Sequence, residues 1–125
     1  MIIGIGCDII EVQRIQKAIE NNPRFCDKLF TAAEIEYCSR KANSYQSYAV
    51  RFAAKEAVMK ALGTGWSETV TWLDIEIIVS EKGLPSVVLS GEAKEIADNL
   101  LINNIHLSLS HEKNYAIAFV IMEAV

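Results

Sequence analysis

The chain has 125 residues, of which 51% are hydrophobic and 22% charged, and its net charge at pH 7 is −4. That length suits one domain with enough apolar material for a core. A net acidic balance argues against general nucleic-acid binding, and no apolar run is long enough to span a bilayer.

Residues 1–11 begin as a β-strand. Ile3, Ile5, Cys7 and Ile9 fall on one side; Gly4, Gly6 and Asp8 fall on the other. An acid beside two residues without side chains is expected to border an open space, which a metal-bound phosphate needs. Asp8 and Glu11 also fit a helix-capping residue and its N3 partner. The two roles are compatible, because a cap uses one carboxylate oxygen. A helix is expected after Asp8 to about Glu20, with Ile10, Ile15, Ala18 and Ile19 as buried positions and Asn21-Asn22-Pro23 as its stop. Thr31-Ala32-Ala33-Glu34 is a capping-box pattern that opens a short helix through about Ser39.

A longer helix is expected from near Ser44, and it contains Arg51-Phe52-Ala53-Ala54-Lys55-Glu56-Ala57-Val58-Met59-Lys60-Ala61-Leu62-Gly63-Thr64-Gly65. The segment is alanine-rich and stops at a glycine-bracketed loop. Glu56 and Lys60 lie four apart and share a face; Arg51 and Lys55 form a second pair with the same spacing. This offers one carboxylate able to hold a hard cation such as Mg2+, beside cations able to hold phosphate. The glycines after Leu62 let backbone approach a ligand closely. Together these features suggest a metal–diphosphate site, although the Glu56–Lys60 spacing alone fits an ordinary surface ion pair.

Residues 73–79 alternate as a strand, Lys82-Gly83-Leu84-Pro85 is a turn, and Ser86 to Leu89 returns. Glu92 to Leu101 is an amphipathic helix on Ala93, Ile96, Ala97 and Leu100. Ile105 to Ser110 alternates, His111-Glu112-Lys113-Asn114 makes a tight connection, and Tyr115 to Met122 is more continuously apolar, which predicts a hairpin. His111 is placed at the turn, where side chains face solvent or a ligand. No repeat, linker or low-complexity segment interrupts the chain. The order β-α-α-α-β-β-α-β-β indicates an α+β fold over residues 1–125, a mostly antiparallel sheet packed with the long helix.

Charge is divided unevenly. Residues 1–60 carry nine Lys/Arg and seven Asp/Glu, a balance of +2; residues 61–125 carry three and nine, a balance of −6. Arg14, Lys17, Arg24 and Lys28 cluster early. They form either a solvated helix face or a docking surface for an acidic partner, since complementary charge speeds and orients encounter. Cys7, Cys26 and Cys38 are odd in number and lack metal-ligand spacing. With no basic region or cleavage site of a signal peptide at the N-terminus, they are expected to be free thiols in the cytoplasm.

Three blocks resemble the signature blocks of the holo-acyl-carrier-protein synthases, which are 4′-phosphopantetheinyl transferases. They are Gly4-Ile5-Gly6-Cys7-Asp8-Ile9-Ile10-Glu11, the stretch from Arg51-Phe52-Ala53-Ala54-Lys55-Glu56-Ala57 to Lys60-Ala61-Leu62-Gly63-Thr64-Gly65, and Leu107-Ser108-Leu109-Ser110-His111-Glu112. They stand in the family's order and at about its spacing. Weaker similarity at Trp72-Leu73-Asp74-Ile75 and Leu89-Ser90-Gly91-Glu92-Ala93 extends the resemblance over nearly the whole chain. The combination is highly specific, although no single block would be. Cys7 stands where the family commonly has threonine; it points away from Asp8, so an effect on packing rather than chemistry is expected. Trp66-Ser67-Glu68 is less glycine-rich than is usual after the helix.

The resemblance implies transfer of the phosphopantetheine arm of coenzyme A to a serine of apo-acyl carrier protein, with adenosine 3′,5′-bisphosphate as the other product, in fatty acid biosynthesis. Under it, Asp8 and Glu56 would hold Mg2+, and Lys60 would neutralise or protonate the leaving phosphate. Arg51 and His111 would meet the nucleotide phosphates, and Gly63, Thr64 and Gly65 would line the coenzyme. Glu56 and a metal-bound water are the two candidates for the base that accepts the serine proton. Arg14 and Arg24 become docking residues, because carrier proteins are acidic. The resemblance further implies a homotrimer with active sites at subunit interfaces. Two other classes are distinguishable. A non-catalytic module binding carrier protein or coenzyme A would lack a metal ligand or the lysine, whereas Asp8, Glu56 and Lys60 are all present. A Mg2+-dependent diphosphate hydrolase would cleave coenzyme A without carrier protein.

Overall fold

The computed structural model describes residues 1–64 and 70–125. Strand β1 (Ile2–Glu11) runs antiparallel to β5 (Tyr115–Ala124), which runs antiparallel to β4 (Ile102–His111), giving a sheet of order β1-β5-β4. Strands β2 (Ile75–Val79) and β3 (Pro85–Leu89) form a separate antiparallel pair. The helices are α1 (Val12–Asn21), α2 (Phe25–Leu29), α3 (Ala32–Ser39), α4 (Ser44–Leu62) and α5 (Gly91–Asn99). The expected α+β class, antiparallel sheet and long helix are all present. Helix α2 was not expected from pattern, being only five residues long. A 3-10 turn at Trp72–Asp74 takes the place of the first residues of the strand expected from 73.

Helix α4 is the centre of the molecule. From Tyr48 to Leu62 every residue is buried except Phe52, Glu56 and Lys60. Those three lie four apart and form one row along the helix. Alanines 53, 54, 57 and 61 are buried, and they permit close packing against the sheet. The closeness is completed by β1. A Cβ on Gly6 would stand 1.8 Å from the carbonyl oxygen of Ala57, and one on Gly4 would stand 2.0 Å from that of Ala61. The two backbones therefore touch, and only glycine fits.

This corrects the expectation of open space beside Asp8. The glycine side of β1 faces inward and is filled by α4. The isoleucine side faces outward, with Ile5 65% and Ile9 60% exposed and Phe119 of β5 50% exposed beside them. Period-two alternation states which residues share a face, not which face is covered.

Asp8 does not cap a helix. Strand β1 continues to Glu11, α1 starts at Val12, and Asp8 lies mid-ladder opposite Ala118. The first turn of α1 is anchored instead by the Val12 amide, which donates to the Asn114 carbonyl at 2.8 Å. Of the expected buried positions, Ile10 and Ile15 are buried, while Ala18 and Ile19 are partly so; Val12 completes the set. On α5, Ala93 and Ala97 are buried, Ile96 is partly buried and Leu100 is exposed.

The capping box at Thr31 forms in both halves. The Thr31 amide donates to Glu34 Oε1 at 2.8 Å, and the Glu34 amide donates to Thr31 Oγ1 at 3.3 Å. Glu34 then does more than cap. Its Oε2 accepts from the Ile77 amide at 2.9 Å, and its Oε1 accepts from Lys55 Nζ at 2.7 Å. Lys55 also donates to the carbonyls of Leu29 (2.7 Å) and Trp72 (3.1 Å). All three ammonium protons thus have acceptors, which a fully buried lysine requires. Burial pulls the Lys55 pKa down, and the Glu34 charge works against that fall. Lys55 is consequently not one of the phosphate-holding cations expected from its spacing with Arg51. With Glu34, it joins α2, α3, α4, β2 and the 3-10 turn inside the core.

His111 is the last residue of β4 rather than part of the turn. The turn is closed by Glu112, whose Oε1 accepts from the amides of Asn114 (2.8 Å) and Tyr115 (2.7 Å). Among the described residues no helix is long and apolar enough to cross a membrane.

Candidate active site

The contact between β1 and α4 brings Asp8 under the row Phe52, Glu56, Lys60. Lys60 Nζ reaches back to the strand, donating to the Cys7 carbonyl at 2.9 Å and to Asp8 Oδ1 at 3.3 Å. The Lys60 side chain is 53% exposed and that of Asp8 19%. Lys60 thus pairs with Asp8 across elements instead of forming the expected i,i+4 pair with Glu56. Glu56, one turn earlier, is half-buried. Burial raises its pKa above the usual carboxylate value, and the Asp8 charge raises it further; Lys60 and Arg14 oppose both. Arg14, exposed on α1, therefore reaches Glu56 electrostatically, because α1 packs against α4.

This donor set fits a hard divalent cation. Asp8 and Glu56 repel one another, which is seen in the upward push on Glu56. A cation between them would remove that repulsion. Among the described residues no group of three or more His, Cys, Asp or Glu side chains is placed to hold a metal. Two carboxylates without further protein ligands suit Mg2+, which retains waters and takes substrate oxygens.

Arg51 and His111 belong to a different place. Both line a cleft of about 430 Å3 with Tyr37, Ser47, Leu84 and Pro85. The buried Arg51 guanidinium lies over the Tyr37 ring at 4.4 Å and donates to the Ser47 carbonyl at 3.2 Å, and its enclosed Nε has no partner among the described residues. His111 Nδ1 lies 2.9 Å from Gln46 Oε1. At 100° per residue, position 51 is turned by about 140° from position 56 and by about 180° from position 60 around the helix. The two sets thus face away from each other on one copy of α4, although they stand close in sequence.

Gly63 ends α4 in the left-handed conformation, with φ +77°; its amide donates to the Lys60 carbonyl at 3.1 Å, and the Thr64 amide donates to that of Met59 at 3.2 Å. Glycine is required there by the helix stop itself. Gly65, Trp66, Ser67 and Glu68 lie outside the described residues. Arg14 and Arg24 are exposed on and just after α1, beside Lys17 and Lys28. Cys7 is exposed and points outward, away from Asp8, as alternation predicts. Its carbonyl, however, anchors Lys60. That role has no side-chain signature, so pattern reading misses it.

A family model described as the 4′-phosphopantetheinyl transferase superfamily matches residues 4–120. The chain belongs to this superfamily. Among its relatives, a holo-[acyl-carrier-protein] synthase of Ruminiclostridium cellulolyticum is 55% identical, over 94% of this chain and 90% of the relative. A solved holo-(acyl-carrier-protein) synthase from Bacillus anthracis, in complex with CoA (3′,5′-ADP), superposes with a TM-score of 0.83 at 36% identity, covering 100% of this chain and 99% of that one. The Helicobacter pylori holo-[acyl-carrier-protein] synthase in complex with coenzyme A gives a TM-score of 0.83 at 36% identity, covering 95% and 99%. In this 4′-phosphopantetheinyl transferase superfamily member, the strand-to-helix contact at Gly4 and Gly6 sets the spacing between Asp8 and the Glu56–Lys60 row.

Proposed function

We propose that this chain is a holo-acyl-carrier-protein synthase acting as one transferase domain in the cytoplasm. It moves 4′-phosphopantetheine from coenzyme A to a serine of apo-acyl carrier protein and releases adenosine 3′,5′-bisphosphate, in the service of fatty acid biosynthesis. The observation that carries this reading is the convergence of Asp8, Glu56 and Lys60, from β1 and α4, on one half-exposed spot. In the reaction a serine oxygen attacks the β-phosphorus of the coenzyme diphosphate, and the bond to the nucleotide phosphate breaks. Negative charge grows on the leaving oxygen. Asp8 and Glu56 would hold Mg2+, which would supply Lewis-acid neutralisation of the diphosphate. Lys60, tethered only by one carbonyl and one carboxylate, turns toward the leaving oxygen and gives it charge or a proton. Glu56 is one candidate to accept the serine proton. Arg51 and His111 hold the nucleotide phosphates, while Gly63, Thr64 and Gly65 line the coenzyme.

Because Arg51 faces away from Glu56 and Lys60, one coenzyme meets both sets most simply between two copies. The outward face of β1 and β5, with Ile5, Ile9, Phe119 and Ile121 exposed, offers the apolar surface for such an assembly. The family resemblance implies that this assembly is a homotrimer with its sites between subunits. Mass spectrometry of apo-acyl carrier protein incubated with this chain, coenzyme A and Mg2+ tests the activity. A gain of one phosphopantetheine on serine is expected. Cleavage of coenzyme A in the absence of carrier protein would identify a hydrolase, and binding without either change a recognition module.

Lys60→Arg keeps the charge but not the compact, proton-donating ammonium. Turnover is expected to fall by roughly tenfold or more, with little change in KM for coenzyme A. If Lys60 served only as the partner of Asp8, Lys60→Ala would shift stability by under about 1 kcal/mol and leave turnover intact.

Arg14→Glu is expected to raise KM for carrier protein several-fold, and the effect should shrink as salt rises, because screening weakens repulsion and attraction alike. KM for coenzyme A should change less. The measurement varies carrier protein at fixed coenzyme A, at low and at moderate salt. An unchanged KM would return Arg14, and Arg24 with it, to an ordinary solvated face.

A further inference from the structure

His111 lines its cleft with a ring whose two nitrogens can exchange donor and acceptor roles, and its partner is an amide. Gln46, in the first turn of α4, holds Nδ1 of the ring at 2.9 Å, so the remaining nitrogen, Nε2, is the one left for a ligand. An amide can present either its oxygen or its NH2 group. With the oxygen toward Nδ1, the ring donates from Nδ1, and Nε2 carries a proton only when the ring is an imidazolium. With the NH2 group toward Nδ1, a neutral ring carries its proton on Nε2 and can still donate to a phosphate oxygen. A carboxylate at this position would allow only the first arrangement.

We propose that Gln46 is a positioning residue for His111: it fixes the ring through Nδ1, and by turning its amide it lets Nε2 donate to a nucleotide phosphate whether the ring is charged or neutral. This rests on the nucleotide-phosphate reading of the cleft. Arg51 of α4 and Tyr37 of α3 line the cleft with His111; Glu112 and Lys113 follow His111 in the chain, and Glu81 and Lys82 precede Gly83 of the same cleft. These side-chain types ordinarily keep one protonation state between about pH 6 and 8.5. Changes of binding over that range, compared between variants, therefore report the ring.

The test is calorimetric binding of adenosine 3′,5′-bisphosphate to the intact protein from about pH 6 to 8.5. Each variant is taken as a ratio to wild type, which cancels the ligand's own phosphate titration near about 6. Gln46→Leu should weaken binding by roughly fivefold at every pH, with kcat little changed. Gln46→Glu should bind nearly as wild type at the low end. It should lose about tenfold toward the high end, because a neutral ring held by a carboxylate keeps its proton on Nδ1 and leaves Nε2 nothing to donate. In a His111→Ala background neither change should matter, because Gln46 acts through the ring. If His111→Ala weakens binding while Gln46→Leu and Gln46→Glu do not, the cleft reading stands and the role of Gln46 is overturned. The same holds if the Gln46 effects persist undiminished in His111→Ala. If His111→Ala binds as wild type, the nucleotide reading of the cleft falls, and the role of Gln46 falls with it.

Discussion

Asp8→Asn is expected to lower transfer by about a hundredfold or more while leaving the fold intact, and Glu56→Ala to cause a loss of similar size. The two halves of the first expectation have separate causes. Asp8 is mid-strand, paired through its backbone opposite Ala118, and its side chain caps nothing. Asparagine has nearly the same shape and can still accept from Lys60, so thermal melting should move by only a few degrees. What is lost is one negative charge beside Glu56. Without it the pair no longer offers a divalent cation two carboxylates, and the diphosphate loses its preorganised counter-charge. Steady-state transfer kinetics with a parallel melting curve separate these effects. Near-normal turnover in Asp8→Asn would remove Asp8 from the site.

Gly6→Ala is expected to destabilise the protein by about 3 kcal/mol or more and to abolish most activity in whatever remains folded. Its new Cβ would lie 1.8 Å from the Ala57 carbonyl oxygen, which is backbone and has no rotamer to escape into. Helix α4 would have to move off the sheet, and Glu56 and Lys60 would move with it, away from Asp8. Ala57→Gly should not rescue the variant, because the obstacle is the carbonyl and not the alanine methyl. Gly63→Ala is the useful contrast: among the described residues nothing lies within 4 Å of its Cβ, so the left-handed φ is what opposes it, at a cost of roughly 1 kcal/mol. Denaturant melts of the three variants measure the difference. Wild-type stability in Gly6→Ala would mean that α4 can slide along β1 without penalty.

Much of the local structure was legible because local chemistry specifies it. Thr31 and Glu34 announced the start of α3, and Gly63 announced the end of α4, since each satisfies helix-end groups from within a few residues. The hairpin of β4 and β5 followed from alternation. Helix α2 was missed because five residues carry no measurable period. Lys55 was misread for a different reason: its spacing from Arg51 is correct, but spacing cannot reveal that Glu34, Leu29 and Trp72 from three other segments would surround it.

The sequence by itself picked out the candidate site residues: the acid after two glycines, the acid–lysine row of the long helix, and a histidine that it placed at a turn. It also determined the order of the longer elements, though not α2 or the 3-10 turn, because period, caps and breakers are local. Tertiary structure decided which of these residues meet. The glycine face of β1 turned inward because α4 has to approach within backbone contact, and that packing brought Lys60 to Asp8 and the Cys7 carbonyl across more than fifty residues of chain. The turn between Arg51 and Glu56, by contrast, already lies in their spacing, since five residues along a helix carry a side chain well around its axis. Contact between segments depends on which surfaces exclude water together, and a pattern read along one segment contains no information about the other.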